Sequence, residues 1–284
     1  MSFNGVFTAS TNTAAPSYGL FSVAEVREHG YENSSWISGA VFESTECVGN
    51  LTANSICDPD DIDILDKSEN GLVLARGVAA FNIVYTVSCE NSVGFRSKDF
   101  KKVVTDGVKD RSEYALEFEL ASGEAADAFN NATSTASLPD ALALDAGIDV
   151  TSGTSVDVNS AIALLEAAYY ASNPTVQGTI HLPVAMLSKV RFGLVKDHNG
   201  VLVTKAGSKI TLNKAMGTDQ TPLTGEVFMT GPVYVELGSE ELITVTEDVI
   251  VNSKNNQVNF TATRPVAVYF DGCDVYSALA DATL

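Results

Sequence analysis

The chain has 284 residues, enough for one large domain or two modest ones with a sizeable core. It is 45% hydrophobic and 19% charged, which excludes wholesale disorder. Its 36 Asp and Glu against 17 Lys and Arg give a net charge of -19, and such a surface repels phosphate at long range, which argues against a sequence-reading nucleic-acid binder.

Residues Met1 to about Tyr31 are small and polar, with Phe3, Phe7, Tyr18 and Phe21 scattered without a helical or strand period. Two readings stay open: a loosely packed leader, or an arm that lies on a neighbouring subunit. Met1 to Tyr18 lacks a basic cluster followed by an apolar core, so no signal peptide is expected. No apolar run approaches membrane-spanning length. Trp36 to Glu46 reads as a strand. Asn50 to Asp66 is turn-rich and acidic, with Asp58, Asp60, Asp61, Asp63 and Asp66. It fails the calcium-loop pattern, lacking the glycine and the closing glutamate, and reads as a solvated loop. Leu72 to Ala75 and Ala79 to Ser88 read as strands. In the second, Val84, Thr86 and Ser88 share one face and Ile83, Tyr85 and Val87 the other.

Ser97 is expected to open and cap the longest helix, running to about Ala121 and stopped by Gly123. Phe100, Val104, Val108, Arg111, Ala115 and Phe118 form its packing stripe, with Arg111 a charged intruder that snorkels or pairs. Lys101, Lys109, Asp110, Glu113 and Glu117 are placed on the polar face, and Gly107 marks a bend. Ala126 to Ser155 is a low-complexity connector with a short turn around Leu138 to Leu144. A second helix is capped by Asp157 or Asn159, packs Val158, Ile162, Leu165 and Tyr169, and ends at Ser172 before Asn173-Pro174. Thr179 to Leu182 is a short strand, Val184 to Val190 a helical turn, and Asn199-Gly200 a tight turn.

The last third is expected to complete a sheet begun earlier. Thr230 to Leu237 is an apolar strand entered through Gly231 and Pro232. Glu241 to Val251 is another. Val258 to Thr261 and Val266 to Phe270 read as a strand pair joined through Arg264 and Pro265. Without regular βαβ alternation, the class is α+β.

Chemistry is faint. His29, His181 and His198 lie far apart, and His181, between Ile180 and Leu182, reads as a structural histidine. No nucleophile elbow or phosphate cradle with its lysine is present. Cys47, Cys57, Cys89 and Cys273 match no common zinc spacing; free thiols and a Cys47–Cys57 pair both remain open. No catalytic, cofactor-binding or metal-binding residue is assigned, and the chain is not read as an enzyme.

Phe81 to Gly123, Gly178 to Pro183, Thr230 to Leu237 and Asn255 to Leu279 resemble segments of the major capsid proteins of tailed double-stranded DNA phages. The branch they most resemble is the actinobacteriophage-like one, of the Hong-Kong-phage-type fold. The likeness is carried by the strand ending at Cys89 and the helix closing on Ala115-Leu116-Glu117-Phe118-Glu119 before Gly123. It continues with His181 in its strand, Thr230-Gly231-Pro232 before an apolar strand, and Arg264 before Val266 to Phe270 and Asp271-Gly272-Cys273. Thr263 stands where family members carry an acidic residue, and Gly217-Thr218-Asp219 where they often carry Gly-Tyr or Gly-Phe.

The resemblance implies a tailed-phage major capsid fold with an N-terminal arm (1–35), an extended loop (36–80), a peripheral domain with a long spine helix (81–145 and 250–284) and an axial domain (146–249). It implies a structural subunit of an icosahedral phage head, self-assembling into hexamers and pentamers around double-stranded DNA. The expected partners are copies of itself in capsomers, a scaffolding protein supplied separately, a portal protein at one vertex, decoration or minor capsid proteins, and packaged DNA bound without sequence specificity. No membrane is involved. Assembly would occur in the host cytoplasm and the chain would reside in the virion. Intersubunit contact candidates are Phe3, Phe7, Tyr18, Phe21, the five aspartates Asp58, Asp60, Asp61, Asp63 and Asp66, and the basic residues Arg76 and Arg111. The alternatives are a minor capsid, head-decoration or tail-tube protein, the last disfavoured by the long helix, and an intracellular carboxylate-based hydrolase.

Overall fold

A computed structural model describes residues 18–33, 35–38, 40–43, 52–54, 62–64, 75–78, 80–90, 99–123, 142, 147–191, 195–216, 224–251, 256–271 and 275–283. Two sheets hold most of the described strand residues. The first is built on one long strand, β16 (Asn256–Phe270). Along one edge β16 pairs antiparallel with β6 (Phe81–Glu90). Along the other it pairs first with β15 (Thr244–Val251), through Thr263, and then with β14 (Val233–Gly238), from Val266 onward. Strand β1 (Glu25–His29) closes that side, parallel to β14.

The expected strand pair around Arg264-Pro265 is therefore a single strand. The proline is tolerated because the partner changes there: β15 stops at Thr263 and β14 begins at Val266. A residue without an N–H sits where no ladder bond is demanded on that side. The predicted alternation of β6 holds, with Phe81 and Ile83 buried and Asn82, Val84, Thr86 and Ser88 exposed.

The second sheet runs β10 (Val195–His198), β11 (Val201–Thr204), β12 (Lys209–Asn213), β9 (Thr179–Pro183), β13 (Thr224–Thr230) and β17 (Tyr276–Asp281). Short strands β7 (Ile148–Asp149) and β8 (Val156–Asp157) pair with β17. The β10–β11 hairpin turns through Asn199 and Gly200, both at positive φ, as its Asn-Gly demands.

The chain passes between the sheets at two neighbouring places. Gly231-Pro232 carries it from β13 to β14, and residues 271–275 carry it from β16 to β17. The passes are bonded to each other, Gly231 N to Asp271 O at 3.0 Å and Asp271 N to Pro232 O at 2.8 Å. Sheet membership thus crosses the expected domain limits: β14 and β15 lie in the sheet of β6 and β16, and β17 in the sheet of β9 and β13.

The expected long helix is two helices, α2 (Phe100–Asp110) and α3 (Ser112–Ser122). Asp99, not Ser97, caps α2, its Oδ1 accepting from Lys102 N. The break falls at Arg111 rather than Gly107. Ser112 Oγ donates back to Val108 O at 2.7 Å, the local bond that bends helices, and Arg111 adopts φ -100, ψ -2. Gly107 instead admits the Tyr85 ring, which a Cβ would meet at 2.2 Å. The break shifts the buried face. Val104 and Val108 are buried as expected, but beyond Arg111 the buried residues are Ser112, Glu113, Leu116, Glu117, Glu119 and Leu120, while Phe118 is 37% exposed. Gly123 ends α3 at φ +69 as expected.

Helix α4 (Val158–Ser172) matches its expectation, with Asp157 accepting from Asn159 N and Ser160 N. It packs Val158, Ile162, Leu165 and Tyr169 into the core of the second sheet. The N-terminal stretch read as aperiodic holds a one-turn helix, α1 (Leu20–Val23), as well as β1. The strand expected at Trp36 to Glu46 is a 3-10 turn (Ser35–Ser38) followed by β2 (Ala40–Glu43), which pairs with β5 (Ala75–Val78). The acidic stretch read as a solvated loop contains a ribbon, β3 (Thr52–Asn54) against β4 (Ile62–Ile64), in which two β-branched isoleucines flank Asp63. Among the described residues no helix is long and apolar enough to cross a membrane.

Candidate functional site at the arm root

Residues 18–29 join the N-terminal segment to both sheets and to α3. Tyr18 adopts φ +73, and its carbonyl accepts from Leu212 N at 2.8 Å. Its hydroxyl donates to Asp197 Oδ2 at 2.6 Å. Leu20 then joins the core of Val104, Leu116 and Leu120, and Val23 is buried as well. The first amides of α1 have no helical acceptor, and α3 supplies one: Glu117 Oε1 accepts from Leu20 N at 3.3 Å and Glu113 Oε1 from Phe21 N at 3.0 Å. A Cβ at position 19 would stand 2.3 Å from Glu113 Oε1, so a side chain there would push the Glu113 carboxylate off its place.

Lys214, just after β12, answers the two carboxylates, with Nζ 3.4 Å from Glu117 Oε1 and 3.7 Å from Glu113 Oε2; its N–H donates to Glu117 Oε2 at 3.1 Å. Glu117 has no exposed surface, and that burial pushes its carboxyl above the ordinary range while the Lys214 contacts pull it down.

A second cluster fixes β1. Arg264 is 4% exposed and uses three nitrogens: Nε to Gly238 O at 2.7 Å, Nη1 to Ser112 Oγ at 3.1 Å and Nη2 to Glu28 Oε1 at 2.9 Å. One guanidinium thereby ties β1, the end of β14 and the start of α3 to β16. Beside it, Glu236 of β14 accepts from Tyr269 Oη at 2.8 Å and Arg27 Nη1 at 3.4 Å, and closely engages His29 Nε2. Burial, then the bond to Glu236, pushes the Tyr269 phenol well above its usual value. These groups hold backbone segments together; they do not converge on a cleft with a nucleophile beside a base.

His181 is fully buried, with Nε2 2.9 Å from Thr230 Oγ1 and Nδ1 without a partner. Burial drops it from 6.5 to about 3. A base held neutral in the fold but free to charge when unfolded makes stability fall as pH drops through 6.5, levelling near 3. His181→Gln, which cannot charge, should lose about 2 kcal/mol less than the parent between pH 7 and pH 5. Urea melts at the two pH values measure this; equal losses in both proteins would refute it.

The sequence-based contact candidates are spread. Phe3, Phe7, Asp58, Asp60, Asp61 and Asp66 lie outside the described residues. Asp63 stands opposite Ala53 in the β3–β4 ribbon, and Arg76 opposite Phe42 in β2–β5. Tyr18 and Phe21 make the intrachain contacts above. Arg111 is exposed and lies over the Tyr85 ring at 4.6 Å, the pairing expected of a charged intruder in a stripe. Of the arm-root residues, Glu113 and Glu117 read from the sequence as solvent-facing but are buried, while Lys214, Glu28 and Glu236 were not singled out by sequence reading. Two glutamates four residues apart beside Leu116 and Leu120 were the available signal.

Among the described residues no group of three or more His, Cys, Asp or Glu could hold a metal ion. No protein-family model and no curated protein matches this chain. Solved structures do match along nearly its whole length. The capsid of the native GTA particle aligns at TM-score 0.55 and 12% identity, over 99% of this chain and 94% of that one. The SrpI encapsulin of Synechococcus elongatus aligns at TM-score 0.52 and 8% identity, over 99% and 94%. The structure of Mycobacterium phage Bobi aligns at TM-score 0.52 and 12% identity, over 97% and 96%. At such identities the likeness is one of fold: the chain has an α+β fold resembling that of shell-forming capsid and encapsulin chains.

Proposed function

We propose that the chain is the structural subunit of an icosahedral phage head, assembling into hexamers and pentamers that enclose double-stranded DNA. The observation that carries this reading is the fold likeness to capsid chains over 99% of the sequence. The net charge of -19 supports it, since a wall carrying it does not adhere to the polyanion it contains. On this reading its partners are its own copies in capsomers, a scaffolding protein, a portal at one vertex and decoration or minor capsid proteins, and its place is the virion, after assembly in the host cytoplasm. The peripheral domain holds α2, α3 and the β16 sheet; the axial domain holds α4 and the β9–β13 sheet. The encapsulin match favours a second reading, an encapsulin-like shell that does not enclose DNA. Electron microscopy of the purified chain, alone and with a scaffold, tests both. Closed shells are expected, nuclease-protected DNA in them separates the two readings, and a stable monomer under all conditions overturns both.

The acidic residues of the extended loop are proposed as intersubunit partners of basic residues on an adjacent copy, Arg76, Lys101, Lys102 or Arg111. An unpaired carboxylate buried at such a contact would cost assembly energy. Asp58, Asp60, Asp61, Asp63 and Asp66 are each changed to Asn, and particle yield is read at low and high salt. At least one variant is expected to lose yield, most at low salt where charge pairs are least screened. Five variants assembling like the parent at both salts would mark a solvated tip.

A further inference from the structure

The β10–β11 hairpin turns through Asn199-Gly200, and both residues are exposed to water. Asn-Gly is the dipeptide most open to loss of ammonia, because glycine adds no side chain to shield its own nitrogen. In that reaction the Gly200 nitrogen attacks Asn199 Cγ, the Cγ–Nδ2 bond breaks, and ammonia leaves with the proton that Gly200 gives up. Water then opens the succinimide ring, giving either aspartate or isoaspartate, whose backbone runs through the side-chain carbon. Isoaspartate lengthens the two-residue loop by one backbone atom. Hairpin register depends on loop length, and here the register seats Val195 and Leu202 in the core of the second sheet.

The fold holds the attacking nitrogen back. Asn199 and Gly200 are fixed in the hairpin turn at φ +55 and +82. Gly200 N donates to Asp197 Oδ1 at 2.9 Å, so the nucleophile is already engaged. Removing its proton beside a carboxylate would also set two negative charges together. The other oxygen of that carboxylate, Oδ2, accepts from Tyr18 Oη at 2.6 Å. The Tyr18 hydroxyl first, and then the Gly200 amide, hold the Asp197 carboxyl below its ordinary range and so ionised. Tyr18 is itself tied down through its carbonyl, which accepts from Leu212 N at 2.8 Å. A chain of bonds therefore runs from the arm root to the nitrogen that would attack.

We propose that Asn199 is a gated deamidation site, closed while Tyr18 and Asp197 hold the turn and open once the arm root lets go. Isoaspartate at position 199 then marks subunits whose root has opened. The gate belongs to the single subunit, so it stands whether or not the chain forms shells. The full-length chain is aged at one pH and temperature, folded and in urea, and deamidation at position 199 is read by peptide mapping with mass spectrometry. The folded parent is expected to react at least about tenfold more slowly than the unfolded chain, because the turn must open first. Tyr18→Phe removes the hydroxyl and keeps the bond from Leu212 N; it should raise the folded rate about threefold. Asp197→Ala frees the Gly200 nitrogen and should raise it about tenfold. Circular dichroism checks that both variants fold; should Asp197→Ala not fold, Tyr18→Phe and the comparison of folded with unfolded parent decide. Equal rates in the folded and unfolded parent overturn the proposal, as does an unchanged rate in either folded variant. A slower rate in Asp197→Ala also overturns it, since the carboxylate would then be the base that drives the attack.

Discussion

Arg264→Leu should destabilise the folded subunit by about 2–4 kcal/mol, which is a large share of the stability of an ordinary domain. The guanidinium donates to the Gly238 carbonyl and to the Ser112 hydroxyl, both in the interior; leucine donates to neither, and Ser112 keeps only its own bond to Val108 O. Each orphaned buried group costs roughly 1–3 kcal/mol. The ion pair contributes less, because the Glu28 side chain is 61% exposed. Glu28→Gln should therefore cost under about 1 kcal/mol. Arg264→Lys should fall between, since one ammonium cannot reproduce a three-way fork. Chemical denaturation of the three variants gives the order. If Arg264→Leu were to melt with the parent, the junction would not be the clamp described here.

Two truncations should separate the arm from its root. Removing Met1 to Ser17 takes away none of the bonds described at the root and should leave the fold intact. Removing Met1 to Val23 also takes Leu20 and Val23 out of the core and leaves Glu113 and Glu117 buried without the amides of Phe21 and Leu20. Emptying a leucine site alone costs about 2–5 kcal/mol, so the longer truncation should yield little folded protein. The shorter cut stops at Ser17 because Tyr18 is bonded to two strands of the second sheet. Particle yield per folded subunit should fall in the shorter truncation if the arm serves assembly. Equal folding of both truncations, read by circular dichroism and thermal melts, would contradict the role given to the root.

The sequence by itself determined what depends on neighbours along the chain. The period of α4, its Asp157 cap and Asn173-Pro174 stop, the Gly123 terminus of α3, the Asn199-Gly200 hairpin and the alternation of β6 all follow from local spacing and backbone chemistry. The segments resembling capsid proteins carried the fold, and the structure agrees with them in class.

What only the tertiary structure decided depends on residues brought together from far apart. The continuity of β16 through Pro265 required knowing that its partner changes there. The reversal of the α3 face, with Glu113 and Glu117 inward and Phe118 outward, followed from a break at Arg111 and from amides 92 and 97 residues away that needed acceptors. A glutamate beside leucines reads as solvent-facing when its partners are invisible, because burying a carboxylate is unfavourable until a lysine and two N–H groups from elsewhere meet it. Helix period places a side chain on a face; only the packed fold says what that face meets.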